Sequence, residues 1–107
     1  MVPARAAGVS LEVTGDYMPY SYQNERPWLF TEEGQVCLLK ARDNAFALIK
    51  AAGAFESMKC LRDVNYGDTF KAMALLDRLV ELGDIKEVTG PNVWGQHRIF
   101  VAGRGVA

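Results

Sequence analysis

Apolar side chains recur at helical spacing between positions 31 and 53, and this pattern predicts one long helix. From Leu38 onward the apolar residues fall three or four positions apart along the chain. Thr31 is a good N-cap, and the two glutamates after it suit the positive end of the helix dipole. Gly53 follows the last apolar position, where a glycine in the left-handed conformation is expected to end the helix.

Two shorter helices are predicted after the long one. Ser57 can cap the first of them, and the run 65–67, which holds a glycine free to adopt a positive φ, ends it. Asp68 or Thr69 caps the second, which extends to Leu82. Its apolar positions predict a buried stripe: Ala72, Met73, Leu75, Leu76, Leu79, Val80 and Leu82. The same spacing predicts an exposed row: Lys71, Ala74, Arg78 and Glu81, flanked by Asp77.

Two β-prone runs, 85–89 and 96–102, predict a C-terminal β-hairpin. The loop between them consists of turn formers and one tryptophan, Trp94. The second run carries apolar side chains on both faces. We therefore expect this strand to be buried on one side and to lie close to another element on the other.

The first thirty residues differ in character from the rest of the chain. Leu11 and Val13 predict a short strand that ends in a turn. Pro19 and Pro27 favour extended, irregular backbone over a helix in the stretch that follows. That stretch is rich in aromatic residues: Tyr17, Tyr20, Tyr22, Trp28 and Phe30. Two interpretations stay open, because these aromatics could cover the domain's own core or form a subunit contact.

The order of the predicted elements resembles the winged-helix family. The resemblance is carried by Leu75-Leu-Asp-Arg-Leu-Val-Glu-Leu-Gly-Asp-Ile-Lys-Glu-Val88 and, after the loop, by His97-Arg-Ile-Phe-Val101. It implies an α+β fold, a winged helix-turn-helix with three helices and a C-terminal β-hairpin wing, after an N-terminal extended or short-strand segment. We expect an N-terminal extension with the aromatic cluster over 1–30, a winged-helix domain over 31–102 and a flexible tail over 103–107.

The resemblance implies binding to double-stranded DNA as a regulator of transcription, with the third predicted helix in the major groove. The candidate contacts on that helix and the wing are Thr69, Lys71, Arg78, Lys86, Asn92, Gln96 and Arg98. The net charge of −1 at pH 7 argues against a strongly basic DNA binder. Residues 1–56 hold five Lys or Arg against seven Asp or Glu, and residues 57–107 hold seven against six.

A protein-binding role explains the same helix surface. Arg78 lies three residues before Glu81, so the outward row could be a solvated face with a loose ion pair. The alternative function is therefore a winged-helix protein–protein interaction or oligomerisation module that does not bind DNA. Its candidate anchors are aromatic: Tyr17, Tyr20, Tyr22, Trp28 and Trp94. Either role is compatible with a homodimer, for which the aromatic N-terminal segment is the candidate surface.

The sequence offers no recognisable catalytic or metal-binding set. The single histidine, His97, lies in a predicted strand without a cysteine or carboxylate at a motif spacing. Cys37 and Cys60 form no CxxC pair, and one histidine does not complete a usual zinc set. We therefore predict a non-enzymatic protein without cofactor or metal. We find neither an apolar run of the roughly 18–20 residues that a membrane span needs nor a signal peptide, so we expect a cytoplasmic protein with reduced cysteines.

Overall fold

Four helices and a three-stranded antiparallel sheet make up the described part of the chain. A computed structural model describes residues 19–90 and 97–104. The elements in chain order are α1 (Tyr22–Leu29), α2 (Glu32–Ala52), β1 (Ala54–Glu56), α3 (Ser57–Cys60), α4 (Thr69–Glu81), β2 (Ile85–Glu87) and β3 (Ile99–Ala102). The strand order in the sheet is β1-β3-β2. The α+β class expected from the sequence is confirmed.

The long helix α2 has the bounds and caps that the sequence predicts. The hydroxyl of Thr31 accepts a hydrogen bond from the Gly34 N–H at 3.0 Å. Gly53 has φ 82° and donates its N–H to the carbonyl of Ile49, which closes the helix in the left-handed conformation. Both ends of α2 are therefore fixed by local chemistry that can be recognised in the sequence.

The break before α4 begins earlier than the sequence predicts, because α3 ends at Cys60 and not at the run 65–67, but the start of α4 follows the prediction. Gly67 adopts φ 95°, and the carboxylate of Asp68 then accepts a hydrogen bond from the Lys71 N–H at 2.9 Å. Of the two candidate caps, Asp68 is thus the one that begins α4 at Thr69. Gly83, at φ 83°, follows the end of the helix.

The short helix α3 begins one residue earlier than the sequence predicts. Ser57 is its first helical residue and not its cap, because Glu56 occupies the cap position at the end of β1. Asn44 of α2 lies against the other end of α3 and donates hydrogen bonds of 2.9 Å to the carbonyls of Cys60 and Arg62. This side chain satisfies two backbone oxygens where α3 ends, so it holds the short helix on α2.

Strand β1 was not predicted, because it is only three residues long. It pairs with β3 in the register Phe55 to Phe100, and the two rings stack with centroids 5.5 Å apart. The predicted hairpin is confirmed as β2 and β3, with Lys86 opposite Val101. Phe100 is fully buried in the middle strand, which β1 and β2 flank at its two edges.

Helix α1 contradicts the extended backbone predicted for the aromatic segment. Pro27 lies inside this helix, where it has no N–H to donate to the carbonyl of Gln23. Both residues are exposed, so water can hydrogen-bond that carbonyl. Leu29 is fully buried at the end of the helix, and the packing of α1 on the rest of the chain outweighs the local preference of proline.

The core lies between the helices and the sheet, and α4 crosses it. Ala72, Leu75, Leu76 and Leu79 are buried as predicted. The predicted stripe is wrong at its C-terminal end, where Val80 is 36% and Leu82 is 47% exposed. Met73 is half-buried. The stripe is displaced because α4 is covered on two sides, by the core and by α1, and the side that holds Val80 stays open.

Several expectations concern residues at the edges of the described ranges. The predicted strand at Leu11 and Val13 and the loop residues 91–96 lie outside the described residues. Gly103, assigned from the sequence to a flexible tail, donates its N–H to the carbonyl of Asp84 at 3.1 Å. Within residues 19–90 and 97–104, none of the helices combines the length and the hydropathy needed to cross a bilayer.

Candidate functional site

The candidate site is the outward face of α4, which the sequence predicts as the DNA-reading surface. Helix α1 packs along this face, and α4 is its main neighbour. Ala74, at the centre of the predicted exposed row, is fully buried, so the prediction of exposure is wrong there. Lys71 and Arg78 are half-buried, and only Glu81 at the end of the row is classed as exposed. The predicted exposure fails because of tertiary packing, since α1 covers the side of α4 that helical spacing places away from the core.

Three side chains converge on the carboxylate of Glu81. The Tyr22 hydroxyl donates to its Oε1 at 2.7 Å, and the Arg78 Nη1 donates to the same oxygen at 2.7 Å. The Arg26 Nε lies 3.4 Å from that oxygen. The Tyr22 hydrogen bond, followed by the Arg78 hydrogen bond, lowers the pKa of Glu81 to about 2. This cluster joins the start of α1 to the end of α4.

Aromatic rings and cations form the rest of the contact between the two helices. The guanidinium groups of Arg26 and Arg78 lie 4.9 and 5.0 Å from the ring centroid of Phe30. The Lys71 Nζ lies 5.3 Å from the Trp28 ring, whose Nε1 donates to Glu33. Both cations of α4 proposed to contact DNA, Lys71 and Arg78, are thus held against aromatic rings of the N-terminal segment.

A polar network connects this face of α4 to the sheet. The Arg98 Nη2 donates to Asp77 at 2.6 Å and to Glu87 at 2.8 Å, and its Nε donates to the second oxygen of Glu87 at 3.1 Å. Tyr20 extends the network by donating its hydroxyl to Asp77 at 2.6 Å, and Thr89 does so by donating to Glu87 at 2.6 Å. Four parts of the chain therefore meet through one guanidinium group.

The environment of the network fixes its charge state. Burial opposes the charge of Arg98, but the hydrogen bonds to Glu87 and Asp77 outweigh it and raise the pKa of the guanidinium. The same hydrogen bond from Arg98 holds the pKa of Glu87 below its usual range. Burial, together with the hydrogen bond to Asp77, raises the pKa of Tyr20. Arg98 and Glu87 thus stay charged and paired, and Tyr20 stays neutral.

The structure brings together most of the residues proposed for the two alternative functions. Lys71, Arg78 and Arg98 were candidate DNA contacts, and Tyr20, Tyr22 and Trp28 were candidate protein anchors. All six lie on or beside the outward face of α4. Lys71 contacts Trp28, Arg78 and Tyr22 both bind Glu81, and Arg98 and Tyr20 both bind Asp77. Thr69 and Lys86 are exposed, at the start of α4 and on β2. Four candidates lie outside the described residues: Tyr17, Asn92, Trp94 and Gln96.

Groups that could perform chemistry or hold a metal do not gather in the described residues. No set of three or more His, Cys, Asp or Glu side chains there is arranged to bind a metal ion. His97 is exposed, and Cys37 and Cys60 are buried and not joined to each other. Burial raises the pKa of the Cys60 thiol to about 12, which keeps it protonated.

Sequence reasoning identified Glu81 as a partner of Arg78, but it missed the contacts of Glu81 with Tyr22 and Arg26 and the contact of Asp77 with Arg98. One signal for α1 was present, since Tyr22, Arg26 and Leu29 are spaced as one side of a helix. Pro27 outweighed that spacing in the prediction. The long-range pairs themselves, which join positions 55 or more residues apart, have no local signature.

No protein-family model matches the sequence, and comparisons with curated proteins and with solved structures gave no match. Function is therefore inferred from the geometry described above.

Proposed function

We propose that this chain is a non-enzymatic winged-helix protein that acts as a protein–protein interaction module and does not read DNA with α4. The order of helix, strand, two helices and hairpin supports the winged-helix assignment. In that assignment α2, α3 and α4 are the three helices of the family, and β2 and β3 form the wing. Helix α1 is then an addition to the fold.

The observation that carries the proposal is the packing of α1 on the outward face of α4. A major groove is about 12 Å wide and admits one helix. Two packed helices have axes about 8–10 Å apart, and each is about 10 Å thick, so together they are too wide to enter. Helix α4 could read bases with this face only after α1 had left it.

The charges of the site support the same conclusion. Arg78 is paired with Glu81, and Arg98 is paired with Asp77 and Glu87. A phosphate group that approached these arginines would meet three carboxylates and would have to displace charge-assisted hydrogen bonds. DNA binding would favour a continuous positive stripe, whereas among the described residues three carboxylates pair with the arginines of this face.

Binding of double-stranded DNA remains the second candidate, and one observation favours it. Lys71 and Arg78 lie on this face, and the departure of α1 and Phe30 would free them from their aromatic contacts and make them available to phosphates. For either role we place the protein in the cytoplasm, where the two buried thiols would stay reduced.

Fluorescence anisotropy with a labelled duplex of random sequence separates the two candidates. We expect no binding to the full chain at low salt, where electrostatic attraction to phosphates is strongest. Binding that weakens linearly with salt on logarithmic axes would overturn the proposal. In that case Arg78→Ala should cost about 1–3 kcal/mol of binding free energy if Arg78 reads a base.

A further inference from the structure

The side of α2 that faces away from the core carries apolar residues in an ordered pattern. Val36 is 64% and Leu39 is 56% exposed, the two highest exposures of large hydrophobic side chains in the described part of the chain. Phe46 lies further along the same side and is half-buried, with the guanidinium of Arg42 over its ring. We call the whole side the outer stripe, and its members are Glu32, Val36, Leu39, Asp43, Phe46 and Lys50.

The spacing of the outer stripe is that of a helix–helix seam. Its members alternate at intervals of four and three residues, which is the a/d pattern of a coiled coil. The opposite side of α2 is already used, because Cys37, Leu38, Ala41 and Ala45 are buried in the core. The outer stripe runs from the first residue of α2 almost to the last, so it presents a straight surface about 27 Å long.

The outer stripe is complementary to itself when a second helix lies against it in the opposite direction. Each of its residues then faces another member placed symmetrically about the level of Ala41. The ends carry opposite charges, and the two outermost apolar residues meet each other. The pairs across such a seam are Glu32 with Lys50, Val36 with Phe46, and Leu39 with Asp43.

We propose that a second copy of this chain docks on the outer stripe, with the two α2 helices antiparallel about a two-fold axis. The inference rests on the proposed function in taking the partner to be a protein, and it identifies that partner as the chain itself. The charge complementarity of the ends selects this occupant, because a two-fold axis makes both Glu32–Lys50 pairs at once. The surface is distinct from the aromatic N-terminal segment that the sequence suggested.

The central pair sets the polarity of the contact. Asp43 faces Leu39 of the second copy, next to which lies Lys40 of that copy, a cation within reach of the carboxylate. In a parallel arrangement each Asp43 would instead face the other Asp43, and each Lys50 the other Lys50. Like charges at the seam disfavour that alternative, so the pattern favours antiparallel packing.

Sedimentation equilibrium of the full chain, from micromolar to millimolar concentration, measures the association. We expect a reversible monomer–dimer equilibrium, and we expect Leu39→Glu to raise its dissociation constant by at least about tenfold. Leu82→Glu is the matched control, since Leu82 is also exposed but lies at the end of α4. A strict monomer, or a dimer that Leu82→Glu dissociates and Leu39→Glu does not, would overturn the proposal.

Charge reversal and mixing test the pairing itself. The variants E32K and K50E each place like charges opposite one another, and each alone should raise the dissociation constant about tenfold. In an equimolar mixture, the E32K chain carries a lysine at both ends of the outer stripe, and the K50E chain carries a glutamate at both ends. The heterodimer should therefore form with at least wild-type affinity, which a change in helix stability alone does not produce. Absence of this rescue would overturn the antiparallel pairing.

These results are separable from the test of the proposed function. A dimer that also binds DNA upholds this inference and overturns the proposed absence of DNA reading. A monomer that does not bind DNA overturns this inference and leaves that absence standing.

Discussion

Arg98 shows how a single side chain can hold several elements in place. Its guanidinium is 12% exposed and binds Glu87 through two nitrogens while also binding Asp77. From the sequence, Arg98 was a candidate DNA contact on the wing. The residue type and its place next to β3 gave no sign of its partners, because Asp77 lies on another element, 21 residues away.

The first prediction concerns the stability that Arg98 provides. Arg98→Ala leaves two partly buried carboxylates without their counter-charge, so it should lower the free energy of unfolding by about 2–4 kcal/mol. Urea unfolding followed by circular dichroism measures this change. Arg98→Lys should recover only part of the loss, because lysine cannot make the forked contact with Glu87. An unfolding free energy that Arg98→Ala leaves unchanged would show that Arg98 does not link these elements.

Gly34 is a residue at which local preference and tertiary packing disagree. From the sequence, a glycine in the first turn of α2 lowers helix stability by about 1 kcal/mol relative to alanine. In the structure Gly34 is buried against the end of α1, and an added Cβ would clash with the carbonyl oxygen of Trp28. The close approach of the two helices therefore requires a residue without a side chain.

The second prediction follows from this close approach. Gly34→Ala should destabilise the protein in urea, although alanine is the better helix former, because α1 must shift away from α2. The control is Ala51→Gly at the exposed end of α2, which measures helix propensity alone. If Gly34→Ala proves more stable than the wild type, the junction of α1 and α2 differs from the one described.

At the scale of elements, helices with their own caps and periodicity were predictable, and those that depend on packing were not. Helix α2 begins after Thr31 and ends before Gly53, and α4 begins after Asp68, as these cap residues predict. Helix α1 was missed because its eight residues include a proline, and its stability comes from α4 rather than from its own sequence. Strand β1 was missed because three residues cannot show an alternating pattern.

The third prediction tests the contact between α1 and α4 through its pH dependence. The fold lowers the pKa of Glu81 to about 2, so the charged carboxylate contributes stability above its ordinary pKa of 4.5. That contribution is lost as the pH falls from about 4.5 towards 2. The difference in unfolding free energy between the wild type and Glu81→Gln should therefore be constant above pH 4.5 and shrink below it.

A second variant identifies the cause of that dependence. Tyr22→Phe removes the hydrogen bond that lowers the pKa of Glu81 most. The pH-dependent loss of stability should begin near pH 4.5 in both proteins, but in this variant it should be smaller and should end at higher pH than in the wild type. Urea unfolding at a series of pH values measures both effects. If the unfolding free energies of the wild type and Glu81→Gln differ by the same amount at pH 7 and at pH 2, the contacts described for the Glu81 carboxylate are contradicted.

At the scale of the whole molecule, several residues named from the sequence lie on or beside the outward face of α4. Lys71 contacts Trp28 there, Arg78 contacts Phe30, and Arg98 binds Asp77. Which side of α4 is open to a partner depends on where α1 lies, and helical periodicity carries no information about that. Within the described residues the outward face of α4 is consequently an interior contact, and the outer stripe of α2 is an open helical surface.

The most direct test of the account is whether α1 and Tyr20, two residues before it, lie on α4 in solution. The rings of Tyr20 and Phe70 meet edge to face with centroids 5.7 Å apart, and Trp28 lies under the Lys71 side chain. Proton NMR of the full chain should therefore show nuclear Overhauser effects between Tyr20 and Phe70 and between Trp28 and Lys71. Absence of both, with rapid amide exchange throughout Tyr22–Leu29, would show that the outward face of α4 is open and would contradict the account.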